Sequence, residues 1–77
     1  MQINIKYFGQ IAELTQKAEE SLECSESFIS DLVDQLISKY PDLKNRDFKV
    51  AQNQELVSLE TLLTGEELAL LPPFAGG

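Results

Sequence analysis

Ile3, Ile5 and Tyr7 alternate with Gln2, Asn4 and Lys6. Period-two alternation predicts a strand with one face in a core. Phe8 breaks that alternation by setting a large apolar group on the opposite face. Gly9 interrupts the chain, and Gln10-Ile11-Ala12-Glu13-Leu14 has room for one helical turn. Across residues 18–24, Leu22 and Cys24 share one parity, and Glu19, Ser21 and Glu23 the other. The pattern predicts an edge strand, whose charges suit exposure. Ile29, Leu32, Val33, Leu36, Ile37 and Tyr40 then recur at spacings of three, four and seven, a single apolar stripe on a helix over 28–40. Ser27 is positioned to cap it. Asp31 and Lys39 complement the helix dipole at its two ends. Pro41 ends it, since it disfavours helical geometry at Tyr40 and has no N–H.

Pro41 to Asp47 reads as a polar connection. Phe48 and Val50 open another strand, Asn53-Gln54 a turn, and Leu56, Val57 and Leu59 a short strand. Thr64-Gly65-Glu66 makes a further turn. In the last strand, Glu67 to Leu71, Leu68 and Leu70 lie on one face and Ala69 and Leu71 on the other. Apolar groups on both faces imply a central, doubly covered strand, or an outer face that meets a partner. The first and last strands are the most apolar and are expected side by side at the centre. One main helix across a small mixed sheet predicts a two-layer α+β domain over 1–71, followed by a flexible tail over 72–77.

Composition narrows the chemistry. At 77 residues the chain is a single domain with a small core. It has one Cys, no His and no Trp. That excludes an internal disulfide, a Cys/His zinc site and any imidazole-activated nucleophile. Thirteen acidic residues against six basic ones give a net charge of −7, which argues against nucleic acid as a partner. No apolar run approaches a membrane span, and the Met-Gln-Ile-Asn-Ile-Lys start lacks the layout of a signal peptide, so a cytoplasmic location is expected. All basic residues lie between Lys6 and Lys49, while Glu55, Glu60, Glu66 and Glu67 follow. The imbalance serves solubility, or it steers the chain towards a basic partner surface.

The interior carries little chemistry. Cys24 reads as a small core residue. Glu19, Glu20, Glu23 and Glu26 have no companion base and read as a solvated face. Tyr7 and Tyr40 fall in apolar registers. The C-terminus, Leu70-Leu71-Pro72-Pro73-Phe74-Ala75-Gly76-Gly77, is different. Two prolines stop the last strand. The residues from Pro72 onward span at most roughly 20 Å. Glycines lack a Cβ, so such a tail can thread a narrow channel and deliver its carboxylate. A carboxylate is unreactive until a partner activates it, for example as an acyl adenylate. Sulfur as the nucleophile would then leave a thiocarboxylate. The alternative is a frayed end with no role.

These residues resemble the ubiquitin-like sulfur carriers, and within them the molybdopterin synthase small subunits. The strand ending in Tyr7-Phe8, the helix after Ser27, Asn53-Gln54 with Leu56-Val57-Ser58, the Thr64-Gly65-Glu66-Glu67 turn and the Pro-Pro-Phe-Ala-Gly-Gly end carry the likeness. Pro72-Pro73 ahead of Gly76-Gly77 points most directly to that branch. The loop before Gly65 is slightly shorter than usual in it.

The resemblance implies a β-grasp fold and a role in molybdenum cofactor biosynthesis. Gly77, preceded by Gly76, would be adenylated by an ATP-dependent enzyme and converted to a thiocarboxylate. The sulfur would go to cyclic pyranopterin monophosphate to build a dithiolene. The chain itself would bind no cofactor and no metal, and would be the non-catalytic, sulfur-donating subunit. Phe8, Leu56 and Leu71 match the family's docking patch, and Pro73, Phe74 and Ala75 lie in the inserting tail. The partners implied are a large subunit, in a heterotetramer, and the activating enzyme. A carrier for thiamine thiazole or another metabolite, and a modifier that forms isopeptide bonds, share the same chemistry at the tail.

Overall fold

The computed structural model describes residues 1–25 and 27–73. The chain runs through β1 (Gln2–Tyr7), α1 (Gly9–Thr15), β2 (Glu19–Glu23), α2 (Ile29–Lys39), a 3-10 helix (Pro41–Asn45), β3 (Lys49–Gln52), β4 (Glu55–Val57) and β5 (Leu68–Leu71). The five strands form one sheet in the order β2-β1-β5-β3-β4. The first and last strands pair in parallel, with Ile5 opposite Leu68 and Tyr7 opposite Leu70. All other pairings are antiparallel. This mixed sheet with one main helix across it is the β-grasp arrangement that the resemblance implied.

Alternation decides the two faces. Ile3, Ile5, Tyr7, Val50, Leu68 and Leu70 form the inner face and pack with Ile29, Leu32, Val33 and Leu36 of α2. Each fully buried aliphatic side chain contributes about 1.5–3 kcal/mol. Tyr7 and Tyr40 meet edge-to-face, with ring centroids 6.3 Å apart. The polar stretch expected over 41–47 forms a 3-10 helix instead, because Leu43 needs that turn to reach the core, where it is fully buried.

Three further details depart from the sequence reading. Ser27 does not cap α2; Phe28 is the N-cap residue. The carbonyls of Thr61 and Leu59 accept the Ile29 and Ser30 N–H groups at 2.8 and 2.9 Å. The Asp31 carboxylate accepts the Phe28 N–H at 3.0 Å. The loop after β4 thus satisfies amides that a capping hydroxyl would have served. Leu59 lies in that loop, beyond β4.

Glu20 is the third. It does not lie on a solvated face: its side chain is 8% exposed. It accepts hydrogen bonds from Tyr7 Oη at 2.5 Å, Tyr40 Oη at 2.6 Å, Lys39 Nζ at 2.6 Å and Lys17 Nζ at 3.3 Å. Burial acts to raise its pKa. The hydrogen bonds from Lys39, Tyr40, Tyr7 and Lys17 outweigh burial and hold it at about 2. The Tyr7 hydroxyl is pushed up, by burial first and then by its bond to Glu20.

Candidate functional site: the outer face of the sheet

The face turned away from α2 follows from the register. Lys6 pairs with Ala69, Ala69 with Ala51, and Ala51 with Leu56, one row across four strands. In the next row Lys49 lies opposite Leu71. The Phe8 N–H donates to the Leu70 carbonyl at 3.2 Å, carrying the β1 alignment one residue further and placing Phe8 beside Leu71. Phe8, Leu71 and Leu56 therefore share this face, around a floor made of two alanines. Phe8 is 44% exposed and Leu56 61%, so Leu56 is not an ordinary core residue. Leu71 is half-buried. Exposed apolar groups gathered on one face mark a surface suited to a partner.

The patch surrounds the exit of the chain. Pro72 is half-buried and Pro73 exposed, immediately beyond Leu71. Gly9 explains the path. It adopts φ +54°, and a Cβ there would lie 3.1 Å from Pro72 Cγ. Glycine thus serves a left-handed turn and a close approach together. In sequence, Gly9 is visible as punctuation after the first strand, but its contact with Pro72 is not. Phe74, Ala75, Gly76 and Gly77 lie outside the described residues.

Cations edge the patch. Lys6 pairs with Glu67 at 3.4 Å. Lys49 has no ion-pair partner among the described residues. Beside it, at the β4 edge, runs an open groove of about 430 Å3 lined by Arg46, Asp47, Phe48, Lys49, Val50 and the segment Leu56–Leu59. Among the described residues no group of three or more Asp, Glu or Cys side chains is arranged to hold a metal ion. Cys24 is half-buried against the core. Among the described residues, no helix is long and apolar enough to cross a membrane.

The ThiS family model matches residues 5–77. Two curated relatives match the chain along its whole length. It is 37% identical to the molybdopterin synthase sulfur carrier subunit of Mycobacterium tuberculosis, over 100% of this chain and 99% of the relative. To the subunit of the same description from Chlamydomonas reinhardtii it is 34% identical, over all of both chains. Solved structures share the fold. A Pyrococcus furiosus protein described as subunit 1 of molybdopterin converting factor superposes with a TM-score of 0.89 at 23% identity, over 96% of this chain and 99% of that one. The small archaeal modifier protein SAMP1 of Haloferax volcanii gives 0.83 at 25% identity, over all of both. A complex of subunits 1 and 2 of the Helicobacter pylori molybdopterin-converting factor gives 0.70 at 23% identity, over all of both.

Proposed function

Because the chain belongs to the ThiS family, we propose that it is the sulfur carrier subunit of a molybdopterin synthase. The observation that carries this reading is the full-length match to two curated subunits of that description. The order of events follows from carboxylate chemistry. Attack of the Gly77 carboxylate on ATP gives an acyl adenylate and releases pyrophosphate. A sulfur nucleophile displaces AMP and leaves a thiocarboxylate. In the large subunit that sulfur passes to cyclic pyranopterin monophosphate, and water returns Gly77 to a carboxylate. Two such deliveries complete a dithiolene.

The geometry supports a division of labour. Phe8, Leu56 and Leu71 dock, while the segment from Pro73 through Phe74 and Ala75 to Gly76 and Gly77 inserts and reacts. The basic groups of the reaction belong to the large subunit, and the assembly is a heterotetramer with one carrier at each end. The subunit 1–subunit 2 complex of the Helicobacter pylori relative supports a large-subunit partner. The activating enzyme consumes ATP, and the carrier binds none. The likeness to an archaeal modifier supports a second use of the same terminus, isopeptide formation.

The test is the mass of the terminal fragment. Trypsin cuts after Lys49 and frees residues 50–77, which contain no Met or Cys whose oxidation could imitate sulfur. From native cells, part of this fragment should be heavier by one oxygen-for-sulfur exchange, and incubation with large subunit and precursor should discharge it. Deleting Gly77 should abolish transfer and leave folding intact. Transfer that survives the deletion would overturn the reading, and fragments joined to lysines of other proteins would establish the modifier role instead.

A further inference from the structure

Among the described residues the exposed large apolar side chains are Phe8, Phe28, Leu56, Leu59 and Leu62. Phe8 and Leu56 belong to the outer face of the sheet. The other three, far apart in sequence, come together at the start of α2. Phe28 and Leu62 form an isolated antiparallel bridge. Its hydrogen bonds are made by their neighbours: the Ile29 N–H donates to the Thr61 carbonyl and the Leu63 N–H to the Ser27 carbonyl, each at 2.8 Å. Phe28 and Leu62 are therefore a non-hydrogen-bonded pair, whose Cα atoms approach to about 4.5 Å and whose side chains stand on the same side. Ile29 and Leu63, the next residues along, are buried in the core. The pair is thus turned to solvent by its register, and Phe28 remains 47% and Leu62 60% exposed. Leu59 extends it, since its carbonyl holds the Ser30 N–H at 2.9 Å and its side chain is exposed. The buried Gln52 amide fixes the Leu62 carbonyl at 3.1 Å. A surface held this firmly loses little freedom on binding.

Charge narrows what can cover it. Segments 27–34 and 58–67 carry Asp31, Asp34, Glu60, Glu66 and Glu67, and no Lys or Arg. Of these five, only Glu67 is in an ion pair among the described residues. The Asp31 carboxylate lies 3.0 Å from the Phe28 nitrogen, so negative charge stands at the base of the apolar pair. The outer face differs, with Lys6 and Lys49 at its edge. A second copy seated on Phe28 and Leu62 would bring these carboxylates against their own kind, and phosphate-bearing surfaces are repelled for the same reason.

We propose that Phe28, Leu59 and Leu62 form a second docking site, for a Lys/Arg-rich segment of a partner protein that offers apolar side chains. The apolar groups seat against the Phe28–Leu62 pair, and the cations of the segment meet Asp31, Asp34 and Glu60. This site shares no residue with Phe8, Leu56 and Leu71. It goes beyond the sulfur-carrier reading and stands whichever pathway the chain serves.

Amide NMR on the full-length chain tests it, with a synthetic amphipathic helical peptide of Leu and Lys as the probe and the same peptide with Glu for Lys as its control. The Lys peptide should displace the signals of residues 27–31 and 59–63 saturably, and the Glu peptide should not. Phe28→Ser and Leu62→Ser should each weaken binding at least tenfold, and so should the charge reversal Asp34→Lys/Glu60→Lys, which leaves the apolar pair in place. Phe8→Asp should leave it unchanged. The dispersion of the Ile3, Ile5 and Leu68 amides shows that each variant is folded. Displacements spread over Glu19–Glu23, or untouched by the serine variants, would overturn the proposal, since charge alone would then hold the peptide. Displacements centred on Phe8, Leu56 and Leu71 would also overturn it. So would signals of residues 27–31 and 59–63 that move on dilution without peptide, because the occupant would then be a second copy.

Discussion

Glu20 draws its four donors from β1, from the linker after α1, and from the last turn and cap of α2. One carboxylate thereby fastens the edge strand β2 to the helix and to the centre of the sheet. Charge-assisted hydrogen bonds of this kind are stronger than neutral ones, and stranding their donors costs more than the bonds supply. Glu20→Gln should lower stability by about 2 kcal/mol, read from a urea midpoint. The pH dependence has a fixed sign. In the unfolded chain the carboxyl titrates near 4.5, and in the folded chain at about 2. The unfolded state therefore takes up the proton first as acid is added. The contribution is complete above 4.5 and is lost as the pH falls towards 2. The stability gap between wild type and Glu20→Gln should narrow over that window. An unchanged gap at pH 2 would show that the carboxylate charge is not the source. Parity held the clue to this residue, since Glu20 shares its register with Leu22 and Cys24. The charge of its neighbours Glu19 and Glu23 concealed it. No spacing rule would have gathered Lys17, Lys39 and two tyrosine hydroxyls around one point, because they meet only after the helix is laid over the sheet.

At the scale of elements, β1, α2 and β5 were legible because each has a strong period and lies against a single core. The central pairing of β1 with β5 followed from their apolarity. The 3-10 turn over Pro41–Asn45 and the capping of α2 were not legible. Both depend on contacts remote in sequence: Leu43 with the core, and the Leu59 and Thr61 carbonyls with Ile29 and Ser30. Gln52 belongs to the same group. Its buried amide donates to the Leu62 carbonyl and accepts from the Thr64 N–H, both at 3.1 Å, and so holds that loop in place. The hairpin between β3 and β4 was legible as a turn at Asn53-Gln54. Both residues have positive φ, 54° and 67°, as a two-residue hairpin loop of the I′ kind requires. Asn tolerates that region, whereas Gln does so at a cost. Gln54→Gly should therefore stabilise the fold by about 0.5–1 kcal/mol, seen as a higher thermal or urea midpoint. A destabilised variant would mean that the Gln54 side chain makes a contact worth more than the strain.

For the whole molecule, the outer face and the net charge act at different ranges. Under the proposed docking, the apolar patch would supply contact once the partners meet, and the acidic surface would govern how fast they do so. Phe8→Asp or Leu71→Asp should weaken large-subunit binding at least tenfold, mainly through faster dissociation, because a charge would be buried at the interface. Equal affinity in both variants would remove this face as the docking surface. Raising salt should instead slow association and spare dissociation, since free charges are screened beyond roughly 10 Å at 0.1 M. The patch itself was partly visible in sequence: Phe8 broke its strand's alternation, and Leu71 was the surplus apolar residue of the last strand. Leu56 could not be assigned to a face without the register to Ala51.

The parallel pairing of β1 with β5 also orders events in time. Among the described strands, the one that a ribosome makes last is the one the sheet needs at its middle. Until Leu68–Leu71 emerges, β1 and the β3–β4 hairpin each keep an unpaired edge, and the core stays open to proteases and to other chains. A message cut short after Pro73 would still encode all five strands of the sheet. One cut short before Leu68 would leave no stable product at all. The fold thus acts as a proofreader of translation, because a chain that has closed its sheet has been translated at least as far as Leu71.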